Sequence, residues 1–183
     1  MFAAGSVLVS SLDKNLKGDM MQQAWRLHQS WSLDISGDAY QAISVNADYI
    51  KALPEAYIPD LTAARLTLVH ASVKPISRNR RALLAGYRGT RGCKISLAVF
   101  PIPNSAIDSL GKKPVLSKRG YNEAYAWRTG SLGYVIMSDG MDSNRFRMLA
   151  QSVQQTSLRH FPFSSETRMA LRESRDKSAP CHA

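Results

Sequence analysis

The sequence predicts an α+β domain: an antiparallel sheet of about four or five strands, a C-terminal helix on one face, and an N-terminal amphipathic helix. Three observations carry that reading. Residues 121–137 hold two aromatic-rich runs around the turn Thr129-Gly130-Ser131, the pattern of a hairpin. Directly after it, Phe146, Leu149, Ala150 and Val153 recur at helical spacing. Far upstream, Leu16, Met20, Ala24, Leu27 and Trp31 form a second stripe at three- and four-residue steps. A lone hairpin does not persist in water, and a helix of about fourteen residues is marginal alone, so the stripe must pack on the sheet and other segments must widen it.

The hairpin has two faces. Tyr121, Glu123, Tyr125 and Trp127 alternate with Ala124 and Ala126, and Leu132, Tyr134 and Ile136 alternate with Val135 and Met137. Both faces carry apolar side chains, as an inner hairpin covered on both sides requires. The following helix spans about 144–157, with Asp142 or Ser143 able to cap it. The upstream helix covers 16–31 and is expected beside it, with His28 next to the stripe as a surface or satisfied core residue.

Between them, Ser32–Ile35 and Ile43–Val45 alternate briefly and read as short strands around the Gly37-Asp38 turn. Asp48 can cap a short helix running through Leu53 and stopped by Pro54. Leu61, Leu66, Leu68 and Val73 suggest a first sheet strand, and Arg80–Tyr87 a second. Gly89–Gly92 is a tight connection. Cys93–Phe100 alternates cleanly as a third strand, ended by Pro101 and Pro103. Residues 104–120 read as a basic, mobile loop.

The 183 residues suffice for one domain with extensions, and a 44% hydrophobic content supports a packed core over general disorder. The expected division is an apolar segment over 1–12, a single α+β domain over 13–160, and a poorly ordered polar tail over 161–183. Met1–Val9 is too short to span a bilayer and lacks the positive start of a secretory signal. It is either a disordered apolar start or the trailing end of a membrane helix.

Charge is unevenly placed. The net charge is +10; residues 1–60 carry −3 and residues 61–183 carry +13. Such a balance suits polyanions such as nucleic acid or anionic headgroups, and equally suits a solvated basic surface. Lys112, Lys113, Lys118 and Arg119 are the candidate polyanion or lipid contacts. Cys93 falls in a strand pattern and reads as a small buried residue. Cys181, near the polar terminus, reads as a free thiol; a bridge between the two requires the tail to fold back onto the sheet.

No catalytic motif is present: no GxSxG, Walker loop, HExxH or GxGxxG. The four histidines, His28, His70, His160 and His182, have no acidic partner close in sequence. Gly86–Gly92 joins two strands and opens no helix, so it lacks phosphate-loop geometry. Asp139 and Asp142 read as loop and helix cap. The expectation is a non-enzymatic chain with no cofactor and no zinc ligand set.

Several segments resemble the extracytoplasmic domain of proteobacterial transmembrane anti-sigma factors. Pro59–Leu66 (PDLTAARL) is similar to that family's "VPDLSAAGL" segment, Ser96–Pro101 to its strand closing on proline, Tyr125–Tyr134 to its "YWxxGGLGY" hairpin, and Phe146–Val153 to its final "LLALARAV" helix. The order and approximate spacings agree over roughly residues 20–157. The resemblance implies a sensor or regulatory domain facing the periplasm, anchored by a single inner-membrane helix whose end would be Met1–Leu12. A cytoplasmic domain, absent here, would hold an extracytoplasmic-function sigma factor. The implied partners are an unidentified signal or envelope protein, the sigma factor through that missing domain, and an anionic membrane surface, with no specific nucleic acid. The rival readings are a soluble basic nucleic-acid-binding module using the four basic residues above, and a small enzyme whose residues converge only in three dimensions.

Overall fold

Six strands form one antiparallel sheet in the order β1-β2-β3-β6-β5-β4. They are β1 (Leu66–Ser77), β2 (Arg80–Gly89), β3 (Lys94–Pro101), β4 (Val115–Arg119), β5 (Asn122–Thr129) and β6 (Leu132–Asp139). Two three-stranded meanders meet along β3 and β6, which pair from Lys94↔Asp139 to Pro101↔Leu132. The computed structural model describes the backbone of residues 6–34, 41–45, 47–104 and 110–181, and side chains over those ranges except 6–17, 47, 48 and 50. Four helices join the sheet: α1 (Ser6–Asp34), α2 (Ala47–Ala52), α3 (Ser143–Arg159) and α4 (Ser165–Lys177).

The local chemistry is legible. The β5–β6 hairpin closes on the two residues between Thr129 and Leu132, and Gly130 there has φ of +57°, which a side chain would strain. Asp142 accepts from the Arg145 N–H at 2.9 Å and caps α3, which stops at the left-handed His160.

The inner strands send two apolar sets to opposite faces, the more aromatic one toward α3. Tyr87, Ile95, Leu97, Tyr125, Trp127, Tyr134 and Ile136 pack with Phe146, Leu149, Ala150 and Val153 of α3. Trp127 and Tyr134 stack with ring centroids 5.6 Å apart, and the Trp127 indole N–H donates to Ser157 Oγ at 3.0 Å. The other face carries Ala82, Leu84, Ala98, Ala124, Ala126, Val135 and Met137, and packs against Met20, Met21, Ala24, Trp25 and Trp31 of α1. Thus α1 covers the face opposite α3 rather than lying beside it, because the alternation leaves two apolar faces and one helix layer hides only one.

Other expectations change as well. Ser32–Asp34 is the end of α1, not a strand, and residues 41–45 have no regular structure, though the Ile43 N–H donates to Leu68 O at 3.0 Å. Residue 35 lies outside the described residues. Helix α2 begins at Ala47, so Asp48 falls within its first turn rather than before it. Tyr121 sits in the β4–β5 turn and is 90% exposed, off the face shared by Tyr125 and Trp127. Within the expected basic loop, Val115–Arg119 is the edge strand β4, which supplies the sheet with its sixth member; residues 105–109 lie outside the described residues.

The tail differs most. Ser164 caps α4 by accepting from the Thr167 N–H at 3.1 Å, and Leu171 is buried in the α3-side core. Cys181 is not free: it is bonded to Cys93, 88 residues away. The Cys181 N–H donates to Arg91 O at 3.2 Å, so the tail does fold back onto the β2–β3 connection. In the chain-entropy account, closing a loop of that size stabilises by about 4–5 kcal/mol.

Truncating the fully buried indole of Trp127 removes its stack, its hydrogen bond and most of the packing under α3. Trp127→Ala should lower unfolding free energy by about 3–5 kcal/mol in urea titration. A loss below about 1 kcal/mol would contradict the packing described.

Candidate functional site

Under α1, the sheet presents a cross-strand row of Gly86, Ser96, Met137 and Ala124, set by the β2–β3, β3–β6 and β5–β6 registers. Three of the four are small, which lets a helix approach closely. Trp31 lies against Gly86: a Cβ added there would fall 2.3 Å from the indole ring. Gly133 does the same for Met20, whose sulfur would be 2.6 Å from an added Cβ. Close helix approach requires glycine at 86, where the neighbour is a rigid ring, and favours it at 133, where the neighbour is the end of a flexible side chain.

His28 completes this contact. It is 0% exposed, within the apolar stripe rather than beside it, between Trp25 and Trp31. Its Nδ1 is 2.7 Å from Ser96 Oγ and its Nε2 is 2.7 Å from Asp139 Oδ1. With Asp139 ionised, Nε2–H donates to the carboxylate, and in the neutral imidazole Nδ1 accepts the Ser96 hydroxyl proton. Both ring nitrogens are satisfied, as burial of a polar ring requires. The indole N–H groups of Trp25 and Trp31, by contrast, have no hydrogen-bond partner among the described residues. Polar satisfaction at this interface is concentrated on one side chain.

A serine, a histidine and an aspartate in a chain resemble a nucleophile relay, but Ser96 is 0% exposed beneath α1 and no scissile bond can reach its hydroxyl in this fold. What the arrangement does is fasten a helix. Asp139 alone of the three reaches solvent, its side chain 24% exposed. It lines an open cleft of about 580 Å3 with Lys94, Tyr121, Asn122, Ser32 and Leu33. Lys94 Nζ donates to Ser32 O at 2.9 Å, holding the last turn of α1 to the edge of that cleft. A polar path thus runs from the cleft through Asp139 and His28 to sealed Ser96.

The four basic residues singled out from the sequence are not gathered into one patch. Lys112 and Lys113 are exposed just before β4, where Gln154 of α3 donates to Lys112 O at 2.9 Å. Lys118 faces Glu123 across the β4–β5 ladder and pairs with it at 2.5 Å. That hydrogen bond, and then the carboxylate charge, raise the lysine's pKa. Arg119 turns to the other face and lies 5.5 Å over the Trp25 ring. Two of the four cations are therefore committed within the domain. Among the described residues no group of three or more His, Cys, Asp or Glu is placed to hold a metal ion.

Sequence reasoning missed the His28 contacts because Ser96 and Asp139 lie 68 and 111 residues away. One signal was available: His28 stands four residues after Ala24 and three before Trp31, inside the helical stripe. A histidine there must find polar partners on the opposing sheet face, where Ser96 interrupts the apolar set. No protein-family model, curated protein or solved structure matches the chain.

The two glycines separate rigid from flexible contacts. Gly86→Ala pushes against an indole ring wedged on the sheet and should destabilise by about 1–3 kcal/mol, with a red shift of tryptophan emission. Gly133→Ala meets mainly the end of a methionine, which can swing away, and should cost less. Equal stabilities for the two variants would contradict the docking of Trp31 on Gly86.

Proposed function

We propose that this chain is the non-enzymatic, extracytoplasmic regulatory domain of a transmembrane anti-sigma factor. It would face the periplasm from a single inner-membrane helix and control an extracytoplasmic-function sigma factor through a cytoplasmic domain. The resemblance of four ordered segments is what supports this choice of family. The observation that carries the regulatory reading is the fastening of α1. A domain that senses on one side of a membrane must alter the segment through which it is tethered. Here α1 precedes the sheet and is clamped to it by His28, and Asp139 of that clamp opens into a solvent cleft. A signal seated in the cleft would compete for Asp139 and so change the hold on α1.

Two further features favour this reading. The Cys93–Cys181 bridge suits an oxidising compartment such as the periplasm. Lys118 and Arg119 are engaged on Glu123 and Trp25, which takes two of the four candidate cations away from the nucleic-acid reading. No helix among the described residues is long and apolar enough to cross a membrane.

Deleting the coding region for residues 41–181 from the host chromosome, in frame, should shift transcripts of one sigma-factor regulon. An unchanged transcript profile would overturn the proposal. In parallel, the purified chain should show no sequence preference among oligonucleotides at about 0.15 M salt. Submicromolar binding to one sequence, with scrambled controls much weaker, would favour the nucleic-acid module instead.

A further inference from the structure

On the side of the molecule covered by α3, a second cleft of about 390 Å3 lies between the segment 57–65 and α4. Arg65, Arg168 and Arg172 line it together with Asp60, Tyr57 and Phe163. Asp60 is engaged locally, accepting from the Thr62 N–H at 2.9 Å. The three guanidinium groups have no side-chain hydrogen bond or ion pair within the domain among the described residues, whereas the arginines around them do. Arg91 donates to Arg175 O at 2.9 Å, Arg175 pairs with Asp176 at 2.8 Å, and buried Arg145 donates to Ala64 O at 3.2 Å.

The walls are fixed. Buried Tyr87 donates its hydroxyl to Pro59 O at 2.9 Å, and the Tyr57 N–H donates to Tyr134 OH at 3.0 Å, tying the 57–65 segment to the sheet. The disulfide anchors the chain just beyond α4. Arg65 adds a local oddity: it holds φ of +58° at the end of the 3-10 turn Thr62–Ala64, a conformation that glycine would adopt more cheaply. A residue kept in a strained backbone position at a cleft points to a use for its side chain. The Arg145 pKa is lowered to about 10 by burial first, and then by Arg175 and Arg91.

We propose that this cleft binds a phosphomonoester dianion. Guanidinium groups match phosphate oxygens with paired, parallel hydrogen bonds, and the three that line the cleft outnumber Asp60 there, with Asp176 acting on Arg65 from outside the lining. Phe163 and Tyr57 give the ester's organic group an apolar surface. The phosphomonoester could be a free small molecule or a lipid headgroup; both present the same dianion. The inference does not rest on the anti-sigma reading, since it uses a different face and a different set of residues.

Calorimetric titration of the whole purified chain tests it, with inorganic phosphate, phenyl phosphate and benzoate as probes. Phenyl phosphate should bind more tightly than inorganic phosphate and far more tightly than benzoate. Its affinity should fall as pH drops through the second phosphate pKa near about 6. The doubly substituted Arg168→Ala, Arg172→Ala chain alters two exposed helix positions that tolerate alanine, and should lose at least about tenfold in affinity. Lys112→Ala with Lys113→Ala should lose none. Arg65→Gly gives the sharpest separation: it relieves the backbone, so melting temperature should hold or rise while phosphate affinity falls. Recruitment to phosphatidylcholine vesicles doped with phosphatidic acid, but not phosphatidylglycerol, would support the proposal with a lipid source. Binding of phenyl phosphate without such recruitment would support it with a soluble source. No binding of either phosphate at low salt, equal binding of benzoate, or affinity unchanged in the double arginine variant would overturn it.

Discussion

The structure depends on a sheet that is apolar on both faces. The inner strands β2, β3, β5 and β6 alternate two buried apolar sets, so both faces of the sheet must be covered. The more aromatic face takes α3, α4 and the segment around Pro59, with Trp127, Tyr134 and Phe146 filling the depth. The other face takes α1, whose own tryptophans supply the bulk that alanines and glycines on the strands omit. The two layers are complementary solutions to one constraint. Removing either would expose a contiguous apolar surface far larger than isolated exposed hydrophobes.

That constraint explains what could be read from sequence. Strands β2, β3, β5 and β6 and helix α3 were legible because each is long, periodic and punctuated: Gly130 turns the hairpin, Pro101 ends β3 and Asp142 opens α3. Even the faces of the hairpin were readable from the alternation of Trp127 and Tyr125 with Ala124 and Ala126. Edge strand β4 was not, because its Val-Leu-Ser-Lys-Arg run is short, charged and half-exposed, and only its ladder to β5 makes it a strand. Helix α4 was hidden for a related reason. Its composition is polar, with Leu171 its only buried residue, and its place is secured by a cap and by a covalent bond formed just beyond its end.

The candidate sites divide the same way. Basic residues visible in the sequence turned out to be dispersed, two of them spent on Glu123 and Trp25. The groups that converge come from distant segments: His28 with Ser96 and Asp139 on one face, Arg65 with Arg168 and Arg172 on the other. Neither set has a local spacing signature, because cross-sheet and helix-to-turn contacts depend on register and docking rather than on sequence distance. The disulfide belongs with the second set. By fixing the chain after α4 to the start of β3, it holds one wall of the arginine cleft against the core.

The central claim is that α1 is an integral layer of the domain, fastened through His28, and not a loosely tethered approach segment. Native-state amide hydrogen exchange on the purified chain tests it most directly. Amides of residues 20–34 should be protected to the same extent as those of central strands β3 and β6, exchanging only through global unfolding. In a His28→Leu chain, that protection should drop in α1 while the central strands keep theirs. Exchange of residues 20–34 at rates near those of an unstructured peptide, beside a protected sheet, would contradict the account.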